Sequence, residues 1–127
     1  MWLFGSVELF NSKFELADDP KEVIIDFKGW KICPLICYDL RFPVWARNIE
    51  NYDILLYVAN WPKPRILAWD VLLKARAIEN MCYTIGVNRV GLDDAQNEYS
   101  GNSAVYDVLG NAITVVRPNK EHIEIQL

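Results

Sequence analysis

Histidine is almost missing from this chain: His122 is the only one in 127 residues. A Cys-His protease triad is thereby excluded, because His122 lies in a terminal strand pattern beside Glu121 and reads as a solvated residue. Cysteine is also sparse and odd in number, with Cys33, Cys37 and Cys82. Cys33 and Cys37 would share one face of a strand, but Cys82 is remote and histidine ligands are lacking, so no metal site is expected. There is no Gly-rich phosphate loop, and no cofactor is expected. No basic segment followed by an apolar core opens the chain as a signal peptide would, and an odd set of thiols suits a reducing cytoplasm. Pro, Asp or Lys interrupts every long apolar stretch well short of a membrane span, so the chain reads as soluble, without a membrane partner. Positive charge is in deficit, 13 Lys plus Arg against 17 Asp plus Glu for a net charge of −4, and no basic run is present. Nucleic acid is therefore not an expected partner.

What is present suits one globular domain, with 52% hydrophobic and 24% charged residues. At this length about two-thirds of the unfolded surface can be buried, provided the layers are complete. Five Trp, six Tyr and five Phe are many for such a chain. Aromatics carry large buried areas in cores and at interfaces, which hints at more than one contact surface.

Residues 1–21 show neither helical nor strand periodicity and form a separate, unassigned segment. Residues 22–27 and 30–37 are β-branched, apolar runs around the turn Lys28-Gly29, which predicts two strands joined tightly. Residues 53–60, with the unbroken apolar run Ile54-Leu55-Leu56-Tyr57-Val58-Ala59 at their centre, suit a strand covered on both faces. A helix is predicted over 64–80, opening at Pro64. Its stripe of Ile66, Trp69, Leu73 and Ala77, widened by Leu67, Val71 and Ile78, would face a sheet. Residues 82–88 read as another strand and 91–100 as a polar loop. Short strands over 102–107, 112–116 and 122–127 follow, with Leu109-Gly110-Asn111 as a hairpin turn. Strands around a long helix imply an α/β layered sheet.

The sharpest local feature is Ile36-Cys37-Tyr38-Asp39-Leu40-Arg41-Phe42-Pro43, where an apolar strand delivers a thiol to a polar turn ahead of a short helical stretch. Backbone N–H groups and Arg41 would favour the thiolate, whereas Asp39 would oppose it. The competing reading is a small buried residue, the usual fate of a free cysteine.

Cys37-Tyr38-Asp39-Leu40-Arg41-Phe42-Pro43, then Ala59-Asn60-Trp61-Pro62, then Ala75-Arg76-Ala77-Ile78-Glu79-Asn80, then Ser100-Gly101-Asn102-Ser103 follow in order. This series resembles the carbon-nitrogen hydrolase (nitrilase) superfamily, and within it the omega-amidase branch. The resemblance covers residues 22–127 and implies the C-terminal part of an α-β-β-α sandwich, about half of the domain. It implies an amidase with a Glu-Lys-Cys triad, in which the Cys37 thiolate attacks a small-molecule amide and forms a thioester. The backbone N–H of Tyr38 would help to hold the oxyanion. Asn60 and Trp61 match the loop that lines the substrate pocket, and Trp61 could equally be a packed core indole. Arg41 could attract a substrate carboxylate, or hold structure by pairing with Asp39 or Glu79.

The family's Glu and Lys lie upstream of the nucleophile. Trp2-Leu3-Phe4 resembles the end of the lysine motif, and none of Lys13, Glu15, Lys21, Glu22 or Lys28 sits in a matching one. The resemblance therefore implies a chain inactive by itself, with an apolar sheet face awaiting either a missing N-terminal half or a homo-oligomeric partner. A non-catalytic interaction module, with Trp45 and Trp69 at a subunit contact, is the alternative, as is one half of a split enzyme.

Overall fold

The computed structural model describes residues 23–114. The sequence features assigned to residues 1–22 and 115–127, including the terminal strand and His122, lie outside them. The first hairpin pairs β1 (Ile25–Phe27) antiparallel with β2 (Trp30–Ile36). Lys28 and Gly29 both take positive φ, 49° and 86°. That is the two-residue turn whose twist matches the flanking strands.

A single 3-10 turn, Cys37–Arg41, follows β2, and the chain returns as β3 (Ile54–Ala59). A short 3-10 turn over Lys63–Arg65 leads into α1 (Ile66–Asn80), so the helix proper starts two residues after the predicted Pro64. It ends at Met81, whose left-handed φ of 50° breaks the helical path. β4 (Tyr83–Asn88) completes the β-α-β unit.

The predicted loop over 91–100 is a correction: β5 (Val90–Leu92) and β6 (Glu98–Ser100) pair as a separate antiparallel hairpin there. Asp93 closes it by accepting from the Asn97 backbone and side chain at 2.8 and 2.9 Å, a local closure that hydrophobic alternation does not reveal. The strand expected over 102–107 is shorter, β7 (Ala104–Tyr106). The next hairpin turn forms as predicted, with the Asp107 carboxylate accepting from the backbone of Leu109 and Asn111 at 2.9 Å each. Within the described part of 112–116, pairing reduces to one bridge between Tyr106 and Ala112.

The main sheet runs β1-β2-β3-β4-β7, with β2, β3 and β4 parallel and both edges antiparallel. Its register gives the two faces different fates. Cys33, Leu35, Leu55, Tyr57, Thr84 and Tyr106 are buried on one face, beneath Trp69, Leu73 and Ala77 of α1. Gly86 belongs to this face because a Cβ there would meet the Trp69 ring at 2.7 Å and would also strike Leu73. On the other face Ile36, Val58 and Val87 lie in register across three strands and are 64%, 52% and 46% exposed.

The helix stripe is narrower than predicted. Leu67, Val71 and Ile78 are exposed, while Arg76, a polar residue, is buried instead. Trp69 is fully buried, whereas Trp45 is half-buried and packs against the core. No helix among the described residues is long and apolar enough to cross a membrane.

Candidate active site

Parallel strands carry their C-terminal ends to one edge of a sheet, where α/β folds gather functional groups. Here that edge collects Cys37 after β2, Asn60 and Trp61 after β3, and Asn88 at the end of β4. Pairing of Ala59 with Asn88 sets the last two level.

Cys37 has a left-handed backbone, φ 43°, a conformation uncommon for a residue other than Gly, Asn or Asp. It turns the chain sharply out of the strand and leaves the thiol half-buried. Asp39 and Arg76 hold this turn. The Asp39 carboxylate accepts the Ile36 N–H at 2.8 Å, and Arg76 donates to the Leu40 carbonyl at 2.6 Å and to Glu79 at 2.8 Å.

The thiol is pulled in two directions. Burial raises its pKa most and the Asp39 charge adds to this, while the backbone N–H groups of Asn60 and Tyr38 and the cation Arg65 favour the thiolate; the net shift is upward. Burial also pushes Asp39 up to about 6. Cys33 and Cys82 are raised to about 11, chiefly by burial.

The structure places Cys37, Tyr38 and Asn60 together, and it revises the setting of Arg41 and Trp61. The Trp61 indole is 2% exposed, donates to the Arg65 carbonyl at 2.7 Å and packs against Trp69 at 5.6 Å between ring centres. Among the described residues no ion pair joins Arg41 to Asp39 or Glu79; Asp39 accepts from Ile36, and Glu79 pairs with Arg76. Its guanidinium lies over the Trp61 and Tyr38 rings, at 4.8 and 5.6 Å from their centres. No group of three or more metal-ligating side chains occurs among the described residues.

Sequence reasoning missed Asn88. Its buried amide accepts the Trp61 N–H at 2.7 Å and donates to the carbonyls of Trp61 and Gly101 at 3.0 and 2.8 Å. An Asn closing a mostly apolar strand, Tyr83-Thr84-Ile85-Gly86-Val87, was the available signal. The β5–β6 hairpin was missed as well. It is tied to the edge by an ion pair from Lys63 to Glu98 at 2.8 Å and by Arg89 over the Tyr99 ring at 4.9 Å. A cleft of about 520 Å³ lies between residues 62–65 and 96–98 and includes Arg65; it adjoins the Cys37 edge without including Cys37.

A half-buried thiol at a strand end, faced by two backbone donors on a mixed α/β sheet, defines the class of cysteine-centred α/β folds. The chain belongs to the carbon-nitrogen hydrolase family, whose sequence model matches residues 4–126. It is similar to Omega-amidase YafV of Escherichia coli strain K12, 48% identical over 118 residues, which is 86% of this chain and 46% of that protein. It is also 35% identical over 108 residues to 2-oxoglutaramate amidase of Bacillus subtilis strain 168, covering 84% of this chain and 41% of that protein. The crystal structure of XC1258 from Xanthomonas campestris, a CN-hydrolase superfamily protein with an arsenic adduct in its active site, superposes with a TM-score of 0.75 at 48% identity. The match covers 79% of this chain and 40% of that one. The chain thus spans about half the length of the curated relatives it matches.

Proposed function

We propose that this chain supplies the nucleophile-bearing half of an amidase acting on a non-peptide C–N bond, of the omega-amide type carried by its similar relatives. The observation that carries this reading is Cys37 itself, held at a left-handed turn with its sulfur facing the N–H groups of Tyr38 and Asn60. In the proposed reaction the thiolate adds to the amide carbon, and the carbonyl oxygen takes up negative charge. Collapse breaks the C–N bond, the amide nitrogen takes up the proton that left the thiol and departs as ammonia, and a thioester to Cys37 remains. Water then adds to the thioester, releasing the carboxylic acid and returning the thiol. Arg41, steadied on the Trp61 ring, is the proposed partner for the substrate's free carboxylate, with Asn60 beside the sulfur.

Proton removal is the step for which the described residues supply no activator. Asp39 is the carboxylate whose charge reaches the sulfur, and it raises the thiol pKa. The proposed activating Glu and Lys belong to the upstream half of the domain. That half is also the proposed occupant of the open face made by Ile36, Val58 and Val87, because the matched relatives are about twice as long.

The test is ammonia release from an omega-amide of a dicarboxylic acid. The chain alone is expected to be inactive or feeble, and activity is expected to appear when a polypeptide carrying the upstream Glu and Lys is added. Cys37→Ala is expected to abolish that activity; turnover that survives the substitution overturns the assignment.

A further inference from the structure

We propose that Asn88 is a positioning residue, whose side-chain amide fixes the 60–61 loop so that the Asn60 N–H stays aimed at the Cys37 sulfur. The inference rests on Cys37 being the nucleophile, but its geometry is independent of that role. The peptide unit joining Ala59 to Asn60 is held from β4, because the Arg89 N–H donates to the Ala59 carbonyl at 3.0 Å. In a trans peptide the C=O and N–H point in opposite directions. With its carbonyl turned toward β4, this unit must turn its N–H toward the other neighbour, β2, whose end carries Cys37.

One hydrogen bond fixes a peptide plane only if the next unit cannot swing. Asn88 prevents that by gripping both polar groups of Trp61, accepting its N–H at 2.7 Å and donating to its carbonyl at 3.0 Å. The amide's second hydrogen goes to the Gly101 carbonyl at 2.8 Å, which ties the grip to the loop ahead of β7. The Ser103 hydroxyl in turn accepts the Asn88 backbone N–H at 2.9 Å. Asn88 is 6% exposed, so water competes weakly for these bonds. Neither Asp, with no donor, nor Leu, with neither group, can make this set.

The experiment follows alkylation of each cysteine by iodoacetamide against pH, resolved by peptide mass spectrometry, on the whole chain. Asn88→Ala is expected to raise the pH midpoint for Cys37 by about one unit, a tenfold loss of thiolate at any pH below it. Ser103→Ala, a milder loosening, is expected to shift it in the same direction by about threefold in thiolate. Leu73→Ala weakens the core without touching the grip and is expected to leave the Cys37 midpoint in place. The proposal is overturned if both Asn88→Ala and Ser103→Ala leave the midpoint unmoved, or if Leu73→Ala shifts it equally. Should Asn88→Ala expose all three thiols together, Ser103→Ala decides the matter alone. In the parent chain, Cys37 reacting no faster than Cys33 and Cys82 would count against the nucleophile, while the shift would still report on the grip.

Discussion

At Cys37 two opposing demands meet. The thiol must be sheltered enough to keep water from its reaction, yet burial disfavours the charged form that reacts. The backbone donors of Tyr38 and Asn60 offset part of that cost, and Asp39 adds to it. Asp39 earns its place structurally, by taking the Ile36 N–H just ahead of the nucleophile. Asp39→Asn keeps an acceptor oxygen and removes the charge. It is expected to lower the Cys37 alkylation midpoint by about half a unit, since a like charge nearby opposes ionisation. The same carboxyl, raised from 3.8 to about 6, contributes its full stability below pH 3.8 and loses it as pH rises through about 6. Chemical unfolding of Asp39→Asn compared with the parent should therefore show the parent losing ground over that interval and the variant not.

At the scale of elements, α1 covers the sheet with few contacts of high quality. Trp69 and Leu73 are fully buried over Gly86, which leaves no room for a side chain. Leu73→Ala is expected to cost about 2–5 kcal/mol, the range for a buried leucine that leaves a cavity, read from urea unfolding. The helix end offers a gain. Met81 sits in the left-handed region and is 78% exposed, so its side chain contributes little there. Met81→Gly is expected to stabilise by about 0.5–1 kcal/mol in the same assay, because glycine takes that conformation without the Cβ clash. The helix stripe was legible from spacing at Ile66, Trp69, Leu73 and Ala77. Arg76 was not, because its burial depends on a carbonyl, that of Leu40, 36 residues away along the chain.

For the whole molecule the two sheet faces set the terms. One is closed by α1, and the other presents Ile36, Val58 and Val87 in a row with Ile25 and Phe27 near the β1 edge, all at least 46% exposed. A contiguous apolar patch of this kind marks a contact surface or a liability to associate. The native chain is expected to bind a hydrophobic dye such as ANS, and Val58→Lys, at the middle of the row, is expected to reduce that fluorescence while circular dichroism stays unchanged. Alkaline pH should weaken the closed face. Cys33 and Cys82 are raised from 9.0 to about 11 by burial, so the stability they leave intact below pH 9 is lost as pH climbs through about 11. Replacing both with Ala should flatten the fall in urea midpoint over that interval.

Order along the chain was enough to determine the runs of β1 to β4, the Lys28-Gly29 turn, the helix and the family, because each rests on neighbours within a few residues or on motifs read in series. It placed Cys37 at a strand end for the same reason. Only the tertiary structure decided that the ends of β2, β3 and β4 share one edge, that Trp61 is a core indole beneath Arg41, and that Asn88 holds the loop opposite the thiol. Those facts depend on parallel strand register, which brings residues 27 positions apart into hydrogen bonds. Local propensity carries no information about such pairing, since in a parallel sheet the partners are set by the crossover and the packing of α1 rather than by a turn.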